Sequence, residues 1–139
     1  MVIEFFMAMN PPTVTHQEKK VTVGKNGKIH FYEPEELQIA RAKLMAYLSR
    51  NKPKGMEPIE GRPIRLITKW CFPFRGRNAS YLKDGQYRIT KPDTDNLQKL
   101  LKDCMTDCGF WKDDALVASE ITEKFWAKIP GIYIRIEEL

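Results

Sequence analysis

The sequence has few of the residues that mark secreted, membrane-spanning or zinc-binding proteins. Its three cysteines lack C-x-x-C spacing, so neither a disulfide framework nor a zinc knuckle is predicted. Its two histidines, His16 and His30, are isolated, and we interpret them as surface or packing residues. The apolar run from Val2 to Met9 is interrupted by Glu4, lacks a basic leader and is too short to cross a bilayer. We therefore expect a cytoplasmic protein without a membrane partner.

Common catalytic and nucleotide-binding motifs are absent as well. The sequence contains no G-x-x-x-x-G-K-[ST] loop, no G-x-S-x-G elbow and no H-E-x-x-H pair. A nucleotide cofactor, a serine hydrolase and a zinc protease are therefore not indicated. Cys104 and Cys108 do have the one-turn spacing of two metal ligands, but no histidine or second cysteine pair lies near them in sequence. Reduced core residues are the favoured interpretation.

The composition is that of one ordinary domain with an uneven distribution of charge. The chain has 139 residues, 42% hydrophobic and 29% charged, which fits a single domain spanning residues 1–139. Residues 1–92 carry 17 Lys/Arg and 8 Asp/Glu, whereas residues 93–139 carry 6 and 10. A basic surface beside an acidic cluster suits a protein that binds a polyanion and a cation. A solvated surface with chance asymmetry remains the alternative.

Hydrophobic periodicity predicts an α+β domain, with a mostly antiparallel or mixed sheet and about two helices packed on one side. Turn residues at Gly24–Lys28 predict a short hairpin between Val21–Val23 and Ile29–Tyr32. The other predicted strands are Val2–Met9, Ile64–Phe72, Leu116–Ala127 and Ile132–Glu138, and the predicted helices are Pro34–Arg50 and Asp95–Cys108. Gly109 is the expected stop of the second helix.

The segment Phe74–Lys91 has the composition of a nucleic-acid contact. It contains one acid, Asp84, and interleaves aromatic residues with several bases. The candidate DNA-binding residues are Arg75, Arg77, Lys83, Arg88 and Lys91. Exposed loops are also basic for solubility alone, and composition does not separate the two interpretations.

Acidic residues gather at two points around the second helix. Asp93 and Asp95 precede or open it, and Asp114 follows after its end. A strand that returned antiparallel along the helix would place Asp114 near Asp93 and Asp95. Three carboxylates around one point favour Mg²⁺ or Mn²⁺ over zinc, and such a site suits phosphodiester hydrolysis. Lys99, one turn after Asp95, would neutralise charge that develops on the phosphate.

Each of these residues also has a purely structural interpretation. Asp93 or Asp95 can serve as an N-cap, and Asp95 with Lys99 can form an i, i+4 ion pair. Asp113 and Asp114 can simply stabilise a turn. The pattern alone leaves these alternatives open.

Two motifs resemble the core signature of RusA-family Holliday junction resolvases. The first is Asp93-Thr94-Asp95-Asn96-Leu97-Gln98-Lys99, which matches D-x-D-N-L-x-K. The second, Gly109-Phe110-Trp111-Lys112-Asp113-Asp114, follows at the family's spacing. Asn10-Pro11-Pro12 is similar to the family's Pro-Pro turn after its first strand. The resemblance is strong over Asp93–Val117 and covers the remainder only in its order of elements.

The resemblance implies a homodimeric, Mg²⁺-dependent endodeoxyribonuclease that resolves four-way DNA junctions by symmetric nicks, and a phage or prophage setting fits it. Asp93, Asp95 and Asp114 correspond to the family's catalytic, metal-binding carboxylates, and Lys99 to its essential lysine. In place of a compact arginine run before the first aspartate, this chain has dispersed bases. The alternative hypothesis is a non-catalytic nucleic-acid-binding module. We expect Val2–Met9 and Ile132–Ile136 as candidate dimer edges.

Overall fold

The computed structural model describes residues 1–15, 20–77 and 79–139. The described strands are β1 (Val2–Met7), β2 (Lys20–Val23), β3 (Ile29–Tyr32), β4 (Ile64–Phe72), β5 (Val117–Trp126) and β6 (Gly131–Glu138), and the helices are α1 (Glu35–Asn51) and α2 (Thr94–Asp107). The predicted elements are therefore confirmed to within a few residues at their ends. The interpretation of His16 falls outside the described residues, and so does that of the His30 side chain.

A four-stranded mixed sheet with the order β1-β6-β4-β5 forms the centre of the fold. β6 pairs antiparallel with both β1 and β4, whereas β4 and β5 are parallel. Parallel neighbours need a crossover connection, and here α2 lies within it. β2 and β3 form a separate antiparallel hairpin. The predicted α+β class with a mixed sheet is confirmed.

The core lies between one face of this sheet and the two helices. β4 alternates as predicted, with Ile64, Leu66, Thr68, Trp70 and Phe72 buried along one face. The helices contribute buried side chains to the same cluster, among them Leu37, Leu44, Leu48, Leu97, Leu100 and Leu101. The prediction of two helices on one side is therefore confirmed. No helix in the described ranges is long and apolar enough to cross a membrane.

The edges of the sheet differ from those that the sequence suggests. β1 is an edge strand, as expected, but β6 lies between β1 and β4. The proposal of Ile132–Ile136 as a dimer edge is therefore wrong, because both sides of that strand are already hydrogen-bonded. The second edge of the sheet is β5, which pairs along one side with β4.

The cysteines behave as core residues. Cys104 is fully buried, and burial raises the pKa of its thiol to about 12. Cys108 is half-buried and packs against the core, with its sulfur 3.7 Å from the carbonyl oxygen of Met45. A buried thiol with a raised pKa stays protonated at neutral pH, and metals bind the thiolate form. The interpretation of these residues as core rather than metal ligands is supported.

Candidate active site and nucleic-acid interface

The start of α2 carries two carboxylates, two residues apart in sequence. Asp93 occupies the N-cap position and Asp95 lies in the first turn. The Asp93 side chain is half-exposed but makes no capping hydrogen bond; its Oδ2 instead lies 2.8 Å from Nζ of Lys91. The partial positive charge of a helix N-terminus favours carboxylates at these positions. The capping alternative is therefore not realised by Asp93, and Asp95 lies inside the helix.

Lys99 stands one turn further along the same helix and is exposed. Among the described residues it forms no ion pair with Asp95, so the i, i+4 alternative is not realised either. Its ammonium group lies on the solvent side of α2, where a bound polyanion can reach it.

The loop before α2 is fixed by a residue that the sequence analysis missed. Lys124, on β5, donates from Nζ to the carbonyl oxygens of Thr90 and Pro92, both at 2.7 Å. Burial and then the charge of Arg88 lower the pKa of Lys124. A lysine within a predicted strand gives no sequence signal for this role, because the contact joins segments more than 30 residues apart.

Asp114 lies at the opposite end of α2 from Asp93 and Asp95. It opens a 3₁₀ turn and lines a depression of about 300 Å³ with Asp103, Thr106 and Asp107, which belong to the last turns of the helix. A helix of 14 residues is roughly 20 Å long, at 1.5 Å per residue. Among the described residues, no group of three or more His, Cys, Asp or Glu side chains is placed to hold a metal ion.

The expected approach of Asp114 to Asp93 and Asp95 within one chain is therefore wrong. In a strand-helix-strand crossover the helix runs antiparallel to both strands, so the second strand begins beside the end of the helix. Glu120 accordingly contacts Lys102 in the middle of α2, and Lys124, four residues further along β5, contacts the loop before it. Phe110 and Trp111 are buried after Gly109 and hold this connection at the helix end.

The two acids that follow α2 have different local roles. Asp113 accepts a hydrogen bond from the amide nitrogen of Ala115 at 2.8 Å and caps the 3₁₀ turn. The turn interpretation is therefore confirmed for Asp113. Within the described part of the chain, the half-exposed Asp114 side chain forms no hydrogen bond or ion pair.

Three of the five predicted DNA-binding residues surround one cavity. The cavity has a volume of about 550 Å³, and Arg75, Arg77 and Arg88 contribute to its lining together with Tyr87 and Trp126. A second cavity of about 200 Å³ adjoins it and is lined by Pro11, Pro12 and the same Arg75 and Arg88. Lys83 and Lys91 are exposed but line neither cavity. The sequence analysis missed Trp126, which comes from the far end of β5.

Arg88 is held in place by its neighbours. Its guanidinium carbon lies 4.3 Å from the ring centroid of Phe72 and 4.5 Å from that of Trp126. Its Nε donates to Oγ1 of Thr90 at 3.1 Å, and its Nη2 donates to the carbonyl oxygen of Lys91. Burial and then the charge of Arg75 lower the pKa of Arg88. Two arginines that line the same cavity create a positive potential suited to phosphate.

Paired carboxylates next to converging arginines define the class of protein: a domain built to act on a phosphate-bearing polymer. Comparison with known proteins agrees with this class. The family model described as endodeoxyribonuclease RusA matches residues 10–137. The chain belongs to this family.

Two relatives illustrate the match. The chain is 30% identical over 118 residues to a crossover junction endodeoxyribonuclease rusA of Lactococcus phage r1t. The matched residues cover 84% of this chain and 83% of the relative. It is 26% identical over 119 residues to the uncharacterized protein YqaN of Bacillus subtilis (strain 168), with 83% of each chain covered.

Proposed function

We propose that this chain is a metal-dependent endodeoxyribonuclease that acts in the cytoplasm and resolves Holliday junctions by paired, symmetric nicks. The observation that carries the proposal is the placement of Asp93 and Asp95 directly after a segment whose arginines converge on a cavity. This arrangement puts groups that bind cations next to groups that bind phosphates. Membership of the RusA family and the name of the phage relative support DNA junctions as the substrate.

The carboxylates at the start of α2 fit one part of a Mg²⁺ site. Asp93 and Asp95 offer hard oxygen donors, which Mg²⁺ and Mn²⁺ prefer over the nitrogen and sulfur ligands of zinc. A bound cation would polarise the phosphate and lower the pKa of a coordinated water. The two residues are only part of the three-carboxylate set that we infer, because Asp114 of the same chain lies about one helix length away.

We propose that a second copy of the chain supplies Asp114. Among the described residues, only the C-terminal end of β5 is paired along its outer side, where the backbone of residues 85–88 bonds to Lys124 and Trp126. The outer side of residues 117–122 is unpaired in the described structure, and such an edge is a ready template for another strand. A second copy of β5 related by a two-fold axis would pair with it antiparallel, as expected for a closed dimer.

This pairing would bring the required residues together. If the two-fold axis passes near Glu120, the residue six positions before it in one copy lies level with the residue six positions after it in the other. Asp114 of the second copy, which lies before β5, then comes to the level of Trp126 on the outer side of residues 85–88, whose backbone pairs with Lys124 and Trp126. Lys124 is hydrogen-bonded to the carbonyl oxygen of Pro92, directly before Asp93. Each site would therefore contain Asp93 and Asp95 of one copy and Asp114 of the other.

The dimer predicts a specific effect of proline at Glu120. The carbonyl of Lys124 and the amide of Trp126 point to the outer side of β5, so the alternation of a strand points the amide of Glu120 outwards too. Glu120→Pro removes this amide without removing a hydrogen bond to β4. Glu120→Ala is the matched control, because it loses the same carboxylate and its contact with Lys102. We expect Glu120→Pro to be monomeric by light scattering and inactive, and Glu120→Ala to be dimeric and active. Equal oligomeric states for the two variants would contradict the β5 interface.

A separate prediction concerns Lys99. We expect Lys99→Ala to fold normally and bind junction DNA but to cleave it about a hundredfold or more slowly, as for loss of one preorganised group that stabilises developing charge. Lys43→Ala, which removes an exposed lysine of α1, is the control. Cleavage rate and melting temperature are measured together. A parent-like rate for Lys99→Ala would remove this residue from the active site.

The activity itself is tested with three synthetic DNA substrates. The purified protein is incubated with a four-way junction, a Y-fork and a linear duplex, each with Mg²⁺, Mn²⁺ or EDTA. We expect paired nicks in the junction with either metal, little cleavage of the linear duplex and none of any substrate in EDTA. Undiminished cleavage in EDTA would contradict metal dependence, and equal cleavage of all three substrates would contradict junction selectivity.

A further inference from the structure

The larger of the two arginine-lined cavities has two chemically different walls. Arg75, Arg77 and Arg88 form a cationic side, whereas Leu82, Tyr87 and Trp126 contribute apolar surface. A nucleotide has the same division, with an anionic phosphate joined to a flat, largely apolar base. A volume of about 550 Å³ lies within the range of cavities that enclose small organic ligands.

The cationic side has no carboxylate partner among the described residues. Arg75 and Arg88 line the same two cavities, and within the described residues neither forms an ion pair with a carboxylate. Nearby cations without a counter-charge are unfavourable in the free protein, and an anion placed between them relieves that repulsion. Planar guanidinium groups match the oxygens of a phosphate especially well.

The apolar side is built from rigid groups. The Trp126 side chain is largely buried and contacts the guanidinium of Arg88. The Tyr87 ring borders the cavity and stacks on the ring of Phe125, which points to the opposite face of β5 from Trp126, with centroids 4.8 Å apart. The Tyr87 hydroxyl donates to Oε2 of Glu123 at 2.7 Å, which limits rotation of the ring. Aromatic and guanidinium faces are the surfaces on which unpaired bases stack in single-stranded nucleic acid complexes.

The rim of the cavity adds an exposed apolar residue where the segment is otherwise polar. Ile89 is 92% exposed and lies between Arg88 and Thr90. Apolar side chains that protrude from basic surfaces are used to separate stacked bases. Arg88 precedes Asp93 by five residues, at most roughly 18 Å of extended chain, so the cavity lies within a few nucleotides of the proposed cleavage site.

We propose that this cavity takes one unstacked nucleotide of the substrate DNA strand, with its phosphate between Arg75 and Arg88 and its base against Leu82 and Trp126. The proposal rests on the proposed function for the nature of the substrate. It adds a subsite that reads one nucleotide near the crossover, and thereby contributes to the choice of cleavage position.

The test uses four-way junctions that carry 2-aminopurine at successive positions around the crossover, bound in EDTA so that they are not cut. Fluorescence of this base rises when it leaves the stack. We expect the wild-type protein to raise the fluorescence at one position in each of two symmetry-related strands. The competing result is a rise spread over all positions or no rise at all, and either of these would overturn the proposal.

A matched pair of variants separates the cavity from general distortion of the junction. Gln86 lines the cavity, and its side chain accepts a hydrogen bond from the amide of Lys83. Gln86→Trp fills the space with an uncharged side chain, whereas Gln86→Ala loses the same hydrogen bond and leaves the space open. We expect Gln86→Trp to abolish the fluorescence rise and weaken junction binding about tenfold, a typical value for loss of one stacked base. Gln86→Ala should behave like the parent.

The outcomes distinguish this proposal from the proposed function. If Gln86→Trp cleaves and binds junctions like the parent and keeps the fluorescence signal, the enzyme assignment stands and the nucleotide subsite is wrong. If the wild-type protein binds no junction DNA, both are wrong.

A second pair of variants tests the cationic side. Arg75→Gln should reduce the fluorescence rise more than Lys83→Gln does, since both variants lose one charge but of the two residues only Arg75 lines the cavity. Equal effects would indicate a general electrostatic contact and contradict the subsite.

Discussion

Asp95→Asn is expected to bind a four-way junction as tightly as the parent and to fail to cut it. The substitution removes one carboxylate charge from the start of α2, while the arginines around the cavity are untouched. Under the proposed function, binding to DNA depends on the cationic surface, whereas hydrolysis depends on the cation that the carboxylates would hold. Even the groups that orient metal ligands contribute about 10- to 100-fold in affinity or activity, so loss of a ligand should cost at least a hundredfold in rate.

The control for this variant is Glu57→Gln. Glu57 is exposed in the loop between α1 and β4, and in the described structure it forms no ion pair. Both variants change the net charge by the same amount. Gel-shift affinity in EDTA and cleavage rate in Mg²⁺ are measured for each. Parent-like cleavage by Asp95→Asn would refute the active-site assignment and favour a module that only binds nucleic acid.

Local sequence patterns predicted most of the elements because burial of one face determines them. The alternation in β4 places every second side chain from Ile64 to Phe72 in the core, and a one-residue shift would expose all of them. The apolar positions of α2 are buried on one face in the same way, at helical spacing. Gly109 ends this helix with a φ of 81°, a conformation that residues with a Cβ rarely adopt. These features depend on neighbours within about ten residues.

The position of Asp114 was not predictable in this way. It depends on where along α2 the returning strand begins, and the pattern of β5 does not determine that. The parallel pairing places the beginning of β5 at the end of the helix. The sequence thus identified three carboxylates as one set by resemblance, but could not show that a single chain separates them.

The basic segment illustrates a second limit. Its composition correctly indicated a cationic surface, but it indicated DNA contact equally for all five candidate basic residues. The structure distinguishes Arg75, Arg77 and Arg88 from Lys83 and Lys91, because the first three line a cavity. That cavity depends on Trp126 of β5, about 40 residues from Arg88. Contacts over such a separation arise from strand pairing, here between residues 85–88 and the end of β5.

The proposed division of the carboxylates between two copies has a consequence that no single-chain site shares. Asp95→Asn and Asp114→Asn are each expected to be inactive as homodimers, because every site then lacks one ligand. A heterodimer of the two variants has two different sites. One site combines both substitutions. The second site contains Asp93 and Asp95 from the Asp114→Asn copy and Asp114 from the Asp95→Asn copy. That second site is intact. Two inactive proteins should therefore regain activity when they are mixed and allowed to exchange subunits.

The product identifies the mechanism further. A heterodimer with one working site can cut only one strand of a junction in each encounter. A supercoiled plasmid with a cruciform should therefore yield nicked circles. The parent should yield linear molecules, because it makes paired cuts. If subunits assort at random, about half of the mixed protein should be heterodimer. Because each heterodimer has one working site of its two, the nicking rate should rise from background towards a quarter of the parental rate of single cuts. If each chain contained its own complete site, both sites of the heterodimer would be defective and the mixture would remain as inactive as its components. The mixing experiment therefore decides between a shared site and a separate site in each copy, independently of where the interface lies.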